Sequence, residues 1–424
     1  MTDPMTRVRP FRALRYDPEK VALGSVLVPP YDVISDADRV KLYDADPHSA
    51  IRLELTKHAA DQADTDYSEV RDTLAAWQGS GVLCRDASPS FYALRQTFEA
   101  PGGGTLTREG FFALIHLEDY ERRIVRPHER TLAGPKADRL KILKATKTNL
   151  SSVFLLYEDQ EQTLAPVLKG AFDDPVASAH DAAGVEQTLA RIEGGEDVER
   201  IQRFLEERPV VIADGHHRYE TALAYRDACR AAGHGDGPEQ PHEWLLVYLA
   251  NAFAPGSLLL PIHRLVKREA PPSDDVWQAK LPGWTMESVA IGDAKAIPEL
   301  LDRHLVPLAG RHAFAADDDS GTLRIFSRDG DDELGVRVIH REVLDGVFGL
   351  DDTAVREGAV DFPKSAAQTA ADVREGRGTV ALYLNPLAPE DVFRVTGAGE
   401  VLPQKSTFFF PKLPTGLVFR PVDA

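Results

Sequence analysis

Five consecutive polar residues, Asp214 to Arg218, stand between an apolar run and an amphipathic segment. The run PVVIA predicts a strand, and the segment after Gly215 predicts a helix of about four turns, so the cluster falls on a strand-to-helix turn. The first N–H groups of a helix have no internal partner and the helix dipole is positive there, which favours an anion. Gly215 permits a tight turn, and Arg218 can donate to the same oxygens. The turn therefore predicts a phosphate site, with His216 and His217 beside it.

Asp214 has two further interpretations. Its carboxylate could hold Mg²⁺ at the phosphate site. It could instead only cap the helix, with both histidines solvated. An acid, a glycine, two imidazoles and an arginine contribute little to a core, and this density favours a functional site.

A second polar cluster covers Pro127 to Thr131 and includes His128, Glu129 and Arg130. Glu129 is a candidate general base, because a carboxylate held by neighbouring donors can take a proton from an attacking hydroxyl. His128 is grouped with it as a catalytic candidate. The alternative is a surface carboxylate paired with a nearby arginine.

A third cluster, Lys405, Ser406 and Thr407, could receive a phosphate or carboxylate, although it lacks the glycines of a P-loop. No HExxH spacing joins the histidines and acids, which disfavours a catalytic zinc. His116, His263 and His340 are interpreted as structural or solvated. The helix predicted from about Pro135 to Thr146 has a basic face, interpreted as solvated and formed by Lys136, Arg139, Lys141, Lys144 and Lys147.

The composition limits the classes of function. The 424 residues hold 67 acidic and 49 basic side chains, a formal net charge of −18. Neutralising nucleic-acid phosphates needs a basic surplus, so nucleic acid is an unexpected partner. Cysteines at 84 and 229 are too few for a disulfide framework. No signal segment and no run of 18 apolar residues is evident, which predicts a cytoplasmic protein with no membrane partner.

Alternating strand and helix patterns predict an α+β fold. The predicted regions are a mixed α/β region over 1–110, a core over 111–270 with a mostly helical insertion near 160–205, and an α/β region over 271–424 that completes the site. Within the first region, helices are predicted at Asp36 to Tyr43 and Tyr67 to Gln78, a strand at Ile51 to Leu55, and a hairpin from Ser90 to Leu117.

The strand followed by DGHHRY and a helix resembles the phosphate-binding turn of the ParB and sulfiredoxin superfamily. In sulfiredoxins a cysteine is the reacting group, and His216 occupies the comparable position here, so sulfiredoxin chemistry is not expected. The free L-serine kinases of this superfamily are more similar, because a Pro-His-Glu segment, an Asp-Gly-His-His-Arg segment and a lysine-hydroxyl loop occur in the same order. Nearly the whole chain resembles a bacterial family of unknown function with the motifs PPYDVI, PHERT, DGHHRYETA and QKSTFFFPK.

The resemblance implies a ParB/sulfiredoxin-like core and an ADP- or ATP-dependent kinase that uses Mg²⁺ and phosphorylates a small hydroxyl amino acid, with free L-serine expected. Glu129 matches the catalytic glutamate of those kinases, and Gly215 to Arg218 match their phosphate-binding turn. Two alternatives stay open: a nucleotide-binding regulator without turnover, and a phosphoserine-type phosphohydrolase. The sequence is compatible with a homo-oligomer.

Overall fold

The structure is a computed structural model, and it describes residues 6–57, 65–129, 133–267, 270–403 and 405–422. Three residues of the polar motifs, Arg130, Thr131 and Gln404, lie outside the described residues. The remaining predicted site residues lie within them.

The strands and helices follow one another along the whole chain. The strands are β1 (Val8–Arg9), β2 (Leu14–Tyr16), β3 (Leu83–Arg85), β4 (Phe91–Glu99), β5 (Thr105–His116), β6 (Val125–Arg126), β7 (Thr148–Asn149), β8 (Val153–Tyr157), β9 (Pro175–His180), β10 (Glu186–Ile192), β11 (Val210–Asp214), β12 (Trp244–Asn251), β13 (Leu258–Leu260), β14 (Arg264–Val266), β15 (Thr285–Ala290), β16 (His312–Asp317), β17 (Thr322–Arg328), β18 (Val360–Asp361), β19 (Val380–Leu384), β20 (Phe408–Phe410) and β21 (Arg420–Pro421). The helices are α1 (Leu23–Val26), α2 (Asp36–Ala45), α3 (Ile51–Glu54), α4 (Ser68–Gly79), α5 (Ala133–Thr146), α6 (Ala165–Ala171), α7 (Gly195–Glu206), α8 (His216–Ala231), α9 (Asp274–Lys280), α10 (Ile297–His304), α11 (Gly335–Val338), α12 (Asp352–Ala354), α13 (Ala366–Arg374) and α14 (Pro389–Gly397).

The chain divides into two compact units. The first unit contains Met1–Leu258, Val395–Val401 and Pro411–Ala424. The second contains Leu259–Arg394 and Leu402–Phe410. Both units combine sheets with helices, so the described part of the chain has an α+β fold, as predicted.

A nine-stranded mixed sheet organises the first unit. Its strand order is β6-β11-β8-β12-β5-β4-β10-β9, and β1 pairs with β5. The central strand β12 is buried along its whole length between β5 and β8, as its uninterrupted apolar run WLLVYLAN requires. Next to the edge, β11 runs parallel to β6 and antiparallel to β8. Since β6 and β11 are parallel, their carboxyl ends lie at the same edge of the sheet.

The second unit is built on a six-stranded sheet with the order β15-β17-β16-β19-β14-β18, whose assigned pairs are antiparallel. One face of this sheet packs against α10 and α13 through apolar side chains that include Ile297 and Ala370. A π-helical segment, Ile339–Asp345, follows α11 directly.

Several predicted elements are confirmed and two are wrong. Helices α2 and α4 and the β4–β5 hairpin occupy the predicted segments. The strand predicted over Ile51 to Leu55 is helix α3 instead. The segment 160–205 is not mostly helical, because β9 and β10 extend the sheet beyond β4.

The basic face predicted for the helix at 135–146 is only partly solvated. Arg139 on α5 is 4% exposed, and its guanidinium lies 3.3 Å from Glu54 Oε2 and 2.7 Å from Asp138 Oδ2. The interpretation of Arg139 as a solvated residue is therefore wrong, because two buried carboxylates balance its charge.

No helix among the described residues combines the length and the apolarity needed to cross a bilayer.

Candidate functional site

The turn between β11 and α8 has the conformation that its sequence predicts. Gly215 precedes the helix with φ 93° and ψ 30°, a left-handed conformation that favours glycine. No side chain caps this helix, so the alternative in which Asp214 serves as the capping residue is wrong. The first intrahelical hydrogen bond runs from the Tyr219 amide to the Gly215 carbonyl at 3.0 Å. The amides of residues 216–218 therefore have no acceptor within the helix.

Tyr219 fixes the start of α8 against the sheet. Its hydroxyl donates to the Glu118 carbonyl at 2.8 Å and accepts the Glu118 amide at 3.0 Å. The side chain is fully buried and belongs to the apolar core below the sheet. This reciprocal pair holds the helix start at the end of β5, so the turn at Gly215 is supported by a rigid element.

Asp214 carries a negative charge that two cations balance. Its Oδ2 lies 2.8 Å from the Lys412 ammonium, and its Oδ1 lies 3.6 Å from Arg218 Nη2. Burial by itself would raise the pKa of Asp214, but the charges of Lys412 and Arg218 outweigh it and hold the pKa well below its usual range. Asp214 is ionised at neutral pH, and both oxygens already face a positive group.

Arg218 is held from two sides beneath the turn. Its Nη1 donates to the Ser152 carbonyl, and its Nη2 lies close to Asp214. Burial would lower the pKa of this guanidinium, but Asp214 and Asp32 raise it overall, so the charge is kept. The third nitrogen, Nε, is buried without a hydrogen-bond partner. It faces Gly215, since a Cβ on that residue would lie 2.8 Å from it.

His128 and His216 form a buried pair at the same edge of the sheet. The His128 amide donates to His216 Nε2 at 3.2 Å, and the two rings meet edge to face with centroids 4.6 Å apart. His128 Nδ1 donates to the carbonyl of Ile212, which can only accept. Burial lowers the pKa of both imidazoles, that of His216 well below its usual value. Both rings are therefore neutral at pH 7.

The hydrogen bonds also fix the tautomer of His216. Because its Nε2 accepts a hydrogen bond and the ring is neutral, the proton is on Nδ1. That nitrogen lies 3.6 Å from Glu129 Oε1. The Glu129 side chain is 37% exposed, whereas His216 is 4% exposed. A buried N–H group thus lies near a carboxylate that is partly exposed to solvent.

The parallel pairing of β6 and β11 explains how two distant segments form one cluster. Each strand delivers its following residues to the same edge, as expected at the carboxyl ends of neighbouring parallel strands. The structure brings together Glu129, His128, Asp214, Gly215, His216 and Arg218. His217, the next residue of α8, is half-buried, and burial lowers the pKa of its imidazole.

Lys405, Ser406 and Thr407 belong to the second unit. Lys405 is exposed with φ 56°, and the buried Ser406 hydroxyl donates to the Pro403 carbonyl at 2.6 Å. Their predicted contact with nucleotide or substrate stays a prediction.

Sequence reasoning missed Lys412 and Ser152. Lys412 is the second of the two lysines in the QKSTFFFPK motif, so the motif itself was the available signal. The PPYDVI motif also reaches this region, because the charge of Asp32 raises the pKa of Arg218. The segment before residue 110 therefore contributes to the surroundings of the turn.

The described residues contain no group of three or more histidines, cysteines and acids that could hold a metal ion. Mg²⁺ does not need three protein ligands, because one or two carboxylates and the oxygens of a phosphate substrate can hold it. Asp214 as a Mg²⁺ ligand stays a prediction.

The site and fold define an α+β protein in which a strand-turn-helix junction lies beside a partly exposed carboxylate. Residues 8–298 match the model of a family described as a protein of unknown function, DUF1015. The chain belongs to this family. No curated protein matches it.

Among solved structures, the chain is similar to a conserved hypothetical protein from Pyrococcus furiosus, with 15% identity, a TM-score of 0.34, and coverage of 74% of this chain and 96% of that one. It is similar to a mutant free serine kinase in complex with ADP, with 14% identity, a TM-score of 0.35, and coverage of 72% and 92%. A truncated SbnI from Staphylococcus aureus gives 11% identity, a TM-score of 0.36, and coverage of 73% and 87%.

Proposed function

We propose that this protein is a phosphotransferase that moves a phosphoryl group from ADP or ATP to a small hydroxyl amino acid, with free L-serine as the expected acceptor. The observation that carries the proposal is the position of the Glu129 carboxylate, partly exposed and 3.6 Å from the Nδ1 of a buried, neutral His216. His216 is the first residue of a helix whose leading amides have no internal acceptor. The groups proposed as proton acceptor and as anion site thus lie at one edge of the sheet.

In the proposed reaction, Glu129 accepts the proton of the substrate hydroxyl as its oxygen attacks the terminal phosphorus of the nucleotide. The new P–O bond forms while the bond to the leaving nucleotide breaks, which releases AMP from ADP or ADP from ATP. The amides of 216–218 receive the oxygens of the transferred group. Arg218 and Lys412 supply positive charge around them. Most of the rate enhancement then comes from positioning and charge neutralisation.

The contacts of His128 favour a positioning role for it. Its side chain is 2% exposed, and its amide orients the His216 ring. His216 in turn carries its Nδ1–H 3.6 Å from Glu129 Oε1, a separation longer than a hydrogen bond, and its dipole would favour one position of the carboxylate. The resemblance of this segment to the ParB/sulfiredoxin-like free L-serine kinases supports the same assignment of Glu129.

Mg²⁺ is expected to enter with the nucleotide phosphates. Asp214 could join its coordination only by exchanging one of its cationic partners for the metal, because Lys412 and Arg218 face its two oxygens. The chemistry that Mg²⁺ supplies when bound is neutralisation of the phosphate charge.

The test is phosphorus NMR of the purified full chain with Mg²⁺, ADP or ATP, and a pool of hydroxyl amino acids. We expect one new phosphomonoester resonance that appears as the nucleotide signal decays. The variant Glu129→Gln should form this product at least about 100-fold more slowly. Glu206→Gln, at the exposed end of α7, is the matched control and should leave the rate unchanged.

Other outcomes would contradict the proposal in distinguishable ways. Nucleotide binding in calorimetry without any phosphorylated product would favour a regulator. Release of inorganic phosphate from phosphoserine in the absence of nucleotide would favour a phosphohydrolase. Less than about a tenfold loss in Glu129→Gln would remove the general-base role.

A further inference from the structure

Arg264, on strand β14 of the second unit, is a buried cation without a balancing charge. The residue is 1% exposed, and no carboxylate of the described residues lies within ion-pair distance of its guanidinium. Its Nε and Nη2 both donate to His340 Nε2, at 3.3 and 3.1 Å, and its Nη1 donates to the Ile262 carbonyl at 2.5 Å. Nη1 also reaches the His263 carbonyl at 3.5 Å, and the guanidinium lies 5.1 Å from the centroid of the Phe362 ring. The acceptors among the described residues are therefore neutral, and two of the five N–H donors share one His340 nitrogen.

The histidines near Arg264 do not supply the missing charge. Burial, followed by the charge of Arg264, lowers the pKa of His340 to about 3 and that of His263 to about 4. Both imidazoles are therefore neutral at pH 7. Burial likewise lowers the pKa of Arg264 to about 9, which still leaves it protonated at neutral pH. By contrast, the buried Arg324 of the same unit lies 2.6 Å from Asp274 and 3.1 Å from Asp318.

Arg264 lines a cavity of about 270 Å³ formed within the second unit. Asn385 and Ser406 lie on the same cavity wall. Asn385 Nδ2 donates to the Leu305 carbonyl at 2.9 Å and has a second N–H, whereas the Ser406 hydroxyl donates to Pro403. A volume of this order suits a small metabolite or a few water molecules. Ile339, the first residue of the π-helical segment 339–345, also lines the cavity, and this rare conformation recurs at functional sites.

The other arginines on the cavity wall each pair with a carboxylate. Asp331 lies 3.0 Å from His312 Nε2, and Asp391 lies 2.8 Å from Arg394 Nη2. The remaining lining charges, Glu333 and Arg311, pair with Arg341 and Asp329 respectively. Arg264 is thus the lining arginine without a carboxylate partner in the described part of this unit. A buried cation is stabilised by an anion beside it, and the cavity leaves room for one.

We propose that this cavity is a binding site for a small oxyanion, a ligand with a carboxylate or phosphate group, and that Arg264 is the residue that recognises its charge. The ligand oxygens would take the guanidinium hydrogens that His340 now shares. The second N–H of Asn385 would provide a further polar contact. This site lies within the second unit and does not depend on the function proposed for the turn at Gly215.

The test is NMR of the side-chain imidazole signals of the full-length protein during titration with inorganic phosphate and, separately, with acetate. His340 reports locally because its Nε2 contacts Arg264, and the variant His340→Gln assigns its signal. We expect saturable shifts of the His340 signal at submillimolar concentration with at least one anion. The more effective anion distinguishes a phosphate ligand from a carboxylate ligand.

Arg264→Gln should weaken this binding by at least about tenfold, because it removes the charge and keeps hydrogen-bonding capacity. Arg394→Gln, an exposed lining arginine that is already paired, is the matched control and should bind nearly as the wild type does. If Arg264→Gln does not fold, Asn385→Ala serves as the second variant and should weaken binding several-fold. The absence of a His340 shift with both anions at millimolar concentration, or equal binding by the Arg264 and Arg394 variants, would overturn the proposal.

Discussion

The Nδ1 of His216 lies 3.6 Å from Glu129 Oε1, although 87 positions of sequence separate the two residues. The ring is buried and neutral while the carboxylate is partly exposed. His216 can therefore orient Glu129 without adding a positive charge that would weaken it as a base.

The first prediction concerns His216 as a positioning residue. His216→Phe should lower kcat of the proposed transfer by about 10- to 100-fold, as expected when a group that orients a reacting residue is lost. Nucleotide affinity should change little, because the backbone amides of the turn remain. His216→Asn, which keeps an N–H donor near Glu129, should recover part of the rate. The kcat and KM values from phosphorus NMR progress curves check this prediction, and equal losses in the two variants would contradict it.

The sequence predicted the turn itself because strand, glycine and helix signals are local. It could not predict that Asp214 pairs with Lys412, since these residues lie 198 positions apart and only the fold brings them together. The sequence also could not show that His216 is buried while His217 is half-buried, because the burial of the His216 ring depends on packing against the segment after β6.

The error at α3 has a similar cause. Ile51, Leu53 and Leu55 alternate with polar residues, which is the pattern of a half-buried strand. In the structure this short segment is helical and buried on several sides, and Glu54 pairs with Arg139 of α5. Tertiary contacts that no local pattern contains decided the conformation.

The second prediction concerns Gly215. Gly215→Ala should destabilise the protein by about 2 kcal/mol or more, because a left-handed φ costs an L-residue about 1–2 kcal/mol and the new Cβ would also press on Arg218 Nε. Gly233→Ala is the matched control, since that residue has φ 84° at the other end of α8 with open space around its Cβ position. Urea denaturation of both variants measures the difference. Equal losses of unfolding free energy in the two variants would show that the contact with Arg218 adds nothing to the cost of the left-handed backbone.

The third prediction concerns pH and the buried histidines of the second unit. The pKa of His340 falls from 6.5 to about 3 on folding, because burial and then Arg264 disfavour the charged ring. Between these values the unfolded chain binds the proton and the folded chain does not, so stability rises with pH through this window. The stabilisation is complete above pH 6.5 and is lost progressively as the pH falls.

Denaturation midpoints between pH 7 and 5 measure this dependence. His340→Gln should reduce the slope by up to about 1.4 kcal/mol per pH unit, the contribution of one proton. The same change at the exposed His234 is the control and should leave the slope as in the wild type. An unchanged slope in His340→Gln would contradict the assignment of a neutral buried ring.

The fourth prediction concerns the ion pair between Asp214 and Lys412. Lys412→Met removes the ammonium that lies 2.8 Å from a mostly buried carboxylate, so the pKa of Asp214 should rise and the fold should lose about 1–3 kcal/mol. Asp214→Asn alone should also destabilise, since it leaves the ammonium without its charge partner. The double variant should be more stable than the sum of the single losses predicts, because neither charge is then left unpaired. Urea denaturation of the wild type, the two single variants and the double variant gives the four free energies of unfolding of this double-mutant cycle. Strictly additive losses of unfolding free energy would show that the two groups do not stabilise each other.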